Sequence, residues 1–174
     1  LYIGTKTGGI NVYNSVNQRF KYLFNENDSG DLKMNETVKH IFKDSRKNIW
    51  FCTTQGLFMY NEENNVTKKF LNDQMSGNSI SHNLVNTICE DKNGLLWIGT
   101  EKGLNCYDTE KNVFTRFLHD KNNPESIFYN IITTLTCDRT NTIFFGTHGG
   151  GIGKFDLNLS KFHNIKIRSS DPNN

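Results

Sequence analysis

Apolar residues fall in short runs along the chain, separated by polar stretches rich in Asn, Asp, Gly and Thr. A run such as Leu95-Leu96-Trp97-Ile98 is apolar at every position, as expected of a strand covered on both faces. Four such runs lie near residues 85–90, 95–100, 103–107 and 114–118. Asp91-Lys92-Asn93-Gly94 separates the first two, and its chemistry suits a hairpin. Asn-Gly accepts positive φ, and an Asp carboxylate can cap the turn amides. The second and third runs are joined across Gly103.

The same order of runs and turns recurs. Trp97-Ile98-Gly99-Thr100 has counterparts at Tyr2-Ile3-Gly4-Thr5, Trp50-Phe51-Cys52-Thr53 and Phe144-Phe145-Gly146-Thr147. The threonines at 5, 53, 100 and 147 are spaced by 48, 47 and 47 residues. Each is followed by a glycine and an apolar residue: Gly9-Ile10, Gly56-Leu57, Gly103-Leu104 and Gly151-Ile152. Tyr13, Tyr60, Tyr107 and Phe155 come next in phase; the tyrosines can bury a ring while the hydroxyl finds a partner. Val38, Val85 and Ile132 share the period, as do Asp44, Asp91 and Asp138. Phe70 and Phe117 mark the fourth run, with Phe20 and Phe162 slightly out of phase.

Four antiparallel strands per repeat of about 47 residues predict an all-β fold, a β-propeller fragment of about four four-stranded blades. The expected division is a partial blade over 1–34 lacking its innermost strand, then blades over 35–81, 82–128 and 129–174, all in one partial propeller domain. Propellers close with 4 to 8 blades. The expectation is therefore a sector of a larger ring, or blades closing between chains. Glycine at 4, 99 and 146, with the small Cys52 in the second repeat, suggests close approach between blades.

Composition supports this reading. The chain of 174 residues contains no alanine but 25 Asn, 14 Gly and 13 Phe, which disfavours helical and Rossmann-type folds. A net charge of +2 supplies no basic stripe for nucleic acid, and no apolar run is long enough to span a bilayer. The cysteines at 52, 89, 106 and 137 form no C-x-x-C pair and are expected to be buried free thiols.

The stretch Ser81-His82-Asn83-Leu84-Val85-Asn86-Thr87-Ile88-Cys89-Glu90-Asp91-Lys92-Asn93-Gly94-Leu95-Leu96-Trp97-Ile98-Gly99-Thr100-Glu101-Lys102-Gly103-Leu104 resembles the two-component regulator propeller repeat. The second repeat departs from that pattern at Lys47 and Cys52, and the fourth at Asn141 and Phe144. The resemblance implies part of the periplasmic ectodomain of a hybrid two-component sensor kinase of Bacteroidetes type, responding to oligosaccharides. It implies no enzymatic activity in this segment, although the parent chain would carry a histidine kinase and a transcription-regulating output. Its expected partners are the remaining blades and downstream domains, with an oligosaccharide ligand and a homodimer as further candidates. Neither nucleic acid nor membrane contact is expected of the segment, and no cofactor is implied. A scaffold for dimerisation or domain docking without ligand contact stays open as the alternative, and a propeller hydrolase or lyase as a third reading.

No residues carry an enzymatic signature. His148-Gly149-Gly150-Gly151 matches the oxyanion motif of some esterases, but no G-x-S-x-G accompanies it, so a hairpin turn is expected. Gly151-Ile152-Gly153-Lys154 lacks the P-loop spacing and is followed by Phe155. Histidines 40, 82, 119, 148 and 163 show no metal-ligand spacing. Asp44, Asp91 and Asp138 recur with the repeat and are expected to cap turns. Catalytic and metal residues are therefore none, and ligand-binding residues remain unassigned. Binding belongs where the repeats differ, on the long connections at 25–35, 72–83 and 119–130, where Phe128 and Tyr129 could stack on sugars.

Overall fold

The computed structural model describes residues 1–23, 37–159 and 161–165. The connection at 25–35 and the 34/35 boundary lie outside the described residues. The first sheet joins β1 (Tyr2–Gly4), β2 (Ile10–Asn14) and β3 (Arg19–Tyr22). The second joins β4 (Val38–Lys43), β5 (Asn48–Thr53), β6 (Gly56–Asn61) and β7 (Val66–Phe70). The third contains β8 (Val85–Glu90), β9 (Leu96–Thr100), β10 (Gly103–Asp108) and β11 (Val113–Phe117). The fourth contains β12 (Ile132–Cys137), β13 (Thr142–Thr147), β14 (Gly151–Asp156) and β15 (Lys161–Ile165). Every pairing is antiparallel between successive strands. The fold is all-β, three four-stranded blades and one of three strands, with no helix among the described residues.

Blade packing explains the continuously apolar runs. Alternate residues of one strand enter the cores on its two sides. From β5, Ile49 and Phe51 join a cluster with Ile10, whereas Trp50 and Cys52 join one with Ile88, Ile98 and Tyr107. From β9, Leu96 and Ile98 share that second cluster, while Trp97 faces Ile132, Ile143 and Phe155. The described residues thus form three cores, one at each joint between neighbouring blades. Innermost strands meet as well, β4 against β8 and β8 against β12. A Cβ on Gly99 would lie 2.7 Å from Ile132 Cγ2 of the next blade, so that approach requires glycine.

The turn aspartates act within their own hairpins. Asp91 accepts hydrogen bonds from the Asn93 and Leu95 amides at 2.8 and 3.1 Å and from Trp97 Nε1 at 3.0 Å. Asp44 likewise accepts from the Asn48 amide at 2.7 Å and from Trp50 Nε1 at 2.8 Å. Phe144 offers no such donor, and Asp138 is held by the Thr140 and Thr142 amides instead, both at 2.8 Å. These bonds, led by the Thr142 amide, hold the Asp138 carboxyl below its ordinary range. The turn needs a left-handed residue, Gly94 at φ 77°; Lys47 and Asn141 adopt φ 67° at the same place.

Two sequence expectations need correction. Phe20 and Phe162 are in register with the aromatic position of the adjacent strand, opposite Tyr13 and Phe155. That is the place of Phe114, which pairs with Tyr107, and not of Phe117. The expectation of four buried free thiols also fails. Cys89 on β8 and Cys137 on β12 form a disulfide with Cα atoms 6.2 Å apart. Their separation of 48 residues carries the chain from one innermost strand to the next, so the bridge joins adjacent blades. Cys52 and Cys106 are free; Cys52 is fully buried, whereas Cys106 is only half-buried. Burial pushes the Cys106 thiol up to about 12, helped by Asp91 and Asp108, so it is a poor nucleophile.

Candidate functional site

Strand direction places the long connections 71–84 and 118–131 on one end of the blades, beside the turns between second and third strands. Backbone bonds tie them there: the Glu101 amide donates to Leu84 O at 3.1 Å and the His148 amide to Ile131 O at 3.0 Å. At this end each complete innermost strand carries a register shift, centred on Lys39, Asn86 and Thr133. Lys39 Nζ donates to Asn86 Oδ1 at 2.8 Å, and Asn86 Nδ2 donates onward to Ile132 O at 2.8 Å. Polar side chains thus link the innermost strands of three blades.

The two connections share one internal architecture. In the first, the Asn72 amide donates to Asn83 Oδ1 at 2.6 Å and the Asp73 amide to Ser79 Oγ at 2.7 Å. In the second, the His119 amide donates to Asn130 Oδ1 at 2.7 Å and the Asp120 amide to Ser126 Oγ at 3.0 Å. Each serine hydroxyl also returns a bond to the aspartate carbonyl, at 3.2 Å in the first and 3.0 Å in the second.

What lies beneath them differs. Arg116 on β11 donates from Nε to Ser79 O at 2.6 Å. Its terminal nitrogen donates to Asp73 O at 3.1 Å, to Ser76 O at 2.9 Å and to Ser79 Oγ. Asn164 on β15 holds the place of Arg116, since Gly153 pairs with Asn164 as Asn105 pairs with Arg116. Among the described residues it reaches only Ser126 O, at 3.0 Å, and its buried Oδ1 has no hydrogen-bond partner there. A cleft of about 490 Å³ opens there, bounded by residues that include His119, Asp120, Asn123, Ser126, Phe128 and Asn164.

Aromatic rings flank the cleft. Tyr129 is 44% exposed and lies 6.4 Å from the His119 ring at 13°, and 5.4 Å from Phe128. The His148-Gly149-Gly150-Gly151 segment is a hairpin turn closed by Thr147 Oγ1 donating to Gly151 O at 3.0 Å. Gly150 lets that turn approach the aromatic pair, because a Cβ there would sit 2.3 Å from Tyr129. Among the described residues no group of three His, Cys, Asp or Glu side chains is placed to hold a metal ion. Sequence reading found the 119–130 connection and its aromatics but missed Asn164. The signal was present, displaced by the extra residue of the glycine turn: counted forward from the glycine that opens the third strand, Asn164 stands where Arg116 does.

Residues 79–102 match the family model described as two component regulator propeller. The extracellular domain of the hybrid two component system BT3049 from B. thetaiotaomicron is 28% identical, with a TM-score of 0.69, over 91% of this chain and 20% of that one. That of BT4673 from the same organism is 27% identical, with a TM-score of 0.70, over 88% of this chain and 19% of that one. Virginiamycin B lyase from Staphylococcus aureus shares the fold at 15% identity and a TM-score of 0.64, over 94% of this chain and 50% of that one. No curated protein matches the chain. The chain has the fold of a β-propeller sector and is similar to extracellular domains of hybrid two-component systems. The chain spans about a fifth of the length of those domains.

Proposed function

We propose that this chain is a non-enzymatic sector of the periplasmic sensing region of a hybrid two-component kinase, and that it responds to oligosaccharides. The observation that carries this reading is the break in the repeat at the 118–131 connection. There an exposed Tyr129 ring stands beside a cleft of mixed apolar and polar lining, on otherwise regular blades. A ring exposed beside amide and hydroxyl groups suits a sugar, whose faces are apolar and whose edge is polar. The inter-blade disulfide supports an oxidising compartment. The aspartates that might serve as catalytic acids, Asp44, Asp91 and Asp138, are engaged in their own turns.

Stiff blades make the sector a platform, and a ligand shifts the receptor only by binding one arrangement of domains or protomers better than another. The test is a melting-temperature screen of the full-length extracytoplasmic region against oligosaccharides. Saturation at about a hundred times Kd stabilises by about 2.7 kcal/mol. A selective rise that Tyr129→Ala abolishes is expected; no rise with any glycan removes the sugar reading.

The alternative is docking without ligand contact. Ile152 is 42% exposed, although its counterparts Leu57 and Leu104 are fully buried against the next blade. On the far side, Phe20 and Tyr22 are exposed. These faces suit further blades or a neighbouring domain.

A further inference from the structure

We propose that the Cys89–Cys137 disulfide is a redox latch on the joint between the third and fourth blades, opened by thiol–disulfide exchange at Cys137 with a dithiol. The inference goes beyond the oligosaccharide reading and does not depend on it. Cys137 stands just before a turn aspartate, where the two preceding repeats carry Lys43 and Glu90. Lys43 is exposed and Glu90 half-buried, although a further blade is stacked after each of theirs. The position therefore stays open to solvent when the ring continues. Cys137 is half-buried there, whereas Cys89 is only 8% exposed. An incoming thiolate thus reaches one sulfur of the bridge and not the other.

The neighbouring joint shows what the latch holds. Between the second and third blades, the turn end is tied by Glu90 accepting from the Ser45 amide and hydroxyl, and by Arg46 paired with Glu110 at 2.6 Å. Between the third and fourth, hydrogen bonds from blade to blade among the described residues lie at the connection end, where Asn86 Nδ2 donates to Ile132 O at 2.8 Å. At the turn end the disulfide is the only bond across the joint among those residues. Cys106 faces the same core, but β9 lies between it and Cys89, so it offers no substitute bridge. Reduction leaves the apolar core of Trp97, Leu104, Ile132 and Ile143 in place and frees the end of β12 from β8. The chemistry balances. A thiolate of the dithiol attacks Cys137 Sγ, and the bond to Cys89 breaks with its electron pair leaving on Cys89, which takes up a proton. The second thiol of the reductant then attacks the mixed disulfide, releases the Cys137 thiol and closes the reductant's own disulfide. Two electrons and two protons pass to the protein, and a thiol–disulfide oxidoreductase has the chemistry to supply them.

The test treats the full-length protein with dithiothreitol in the absence of denaturant. Mass spectrometry after thiol labelling reads the state of Cys89 and Cys137, and amide hydrogen exchange reads the joint. Reduction of this disulfide in the folded protein is expected. Exchange over residues 132–142 should then quicken at least about tenfold, with residues 38–48 unchanged, and should return to its starting rate on reoxidation with oxidised glutathione. The direction of attack is tested on the single variants. Cys89→Ser leaves the half-buried Cys137 thiol and should form a mixed disulfide with oxidised glutathione at least about tenfold faster than Cys137→Ser, which leaves the buried Cys89. The dithiothreitol experiment needs no substitution, so it decides the matter even where a variant fails to fold. Three results overturn the latch: a disulfide reduced only as the protein unfolds, exchange unchanged after reduction, or equal reactivity of the two variants. None of these measurements involves a sugar, so their failure leaves the oligosaccharide reading standing.

Discussion

The joint between the second and third blades and the joint between the third and fourth share one backbone design yet close at opposite ends. Glu90 and Cys137 occupy the same place, each just before a turn aspartate. At the first joint Glu90 accepts from the Ser45 amide at 2.7 Å and the Ser45 hydroxyl at 2.6 Å. At the second, Cys137 is bonded covalently to Cys89. On the other end the order reverses, with Arg116 filling connection 71–84 and Asn164 leaving an open cleft under 118–131. A repeat can thus keep its framework while single side chains decide which joint is fastened and which connection stays open to a ligand.

The largest effect should come from the covalent fastening. Cys137→Ser with Cys89→Ser is expected to cost up to about 4 kcal/mol, the chain-entropy value for a loop of 48 residues, seen as a lower urea midpoint. Glu90→Gln at the other joint should cost only about 1 kcal/mol, because the amide oxygen still accepts one bond. Equal losses would show that the joints are fastened to the same degree. Next in size is the plug. Arg116→Ala leaves the carbonyls of Ser76 and Ser79 without their donor, Asp73 O keeping its bond from Ser79 Oγ, and is expected to cost about 2–3 kcal/mol, against about 1 kcal/mol for Asn164→Ala. The same urea titration measures both, and matching values would erase the distinction between the connections.

Mild acid should loosen only the first joint. Burial holds His40 below its ordinary value of 6.5, and its Nδ1 accepts from the Ile88 amide of the next blade at 3.3 Å. Thr87 and Thr134 stand at that position in the following blades. The unfolded chain takes up the proton first, so this contribution is complete above pH about 6.5 and is lost as pH falls toward the folded value. Melting temperature measured between pH about 7.5 and about 5 should fall less in His40→Gln than in the parent protein. The smallest effect concerns the turn of the second blade. Lys47→Gly relieves a left-handed lysine and sacrifices only its exposed pair with Glu63, for a net gain of about 0.5 kcal/mol by urea midpoint.

Much of the fold was readable in the residues. The recurring Trp-Ile-Gly-Thr segment, the aspartate turn and the glycine before each third strand located the hairpins, because each acts within a few residues of itself. Strand limits read from the third repeat differ from those observed by one residue or so at their ends. The candidate site was half legible: the connection and its aromatics stood out as departures from the repeat, whereas Asn164 was hidden by one inserted residue near Gly150. The disulfide was not legible at all, since Cys89 and Cys137 are distant in the chain and fit no short-range spacing rule.

The sequence by itself determined the local structure: continuously apolar strands, the residues that tolerate left-handed turns, and the period of the repeat. These follow from torsional preference and from burial on two faces, which neighbouring residues decide among themselves. The tertiary structure decided which blades touch through which atoms. Only stacking brings β8 against β12, places Arg116 beneath one connection and leaves the Oδ1 of Asn164 unpaired beneath another. Contacts across a repeat depend on the rise and rotation from blade to blade, and one inserted residue or one exchanged side chain changes them without disturbing the pattern along the chain.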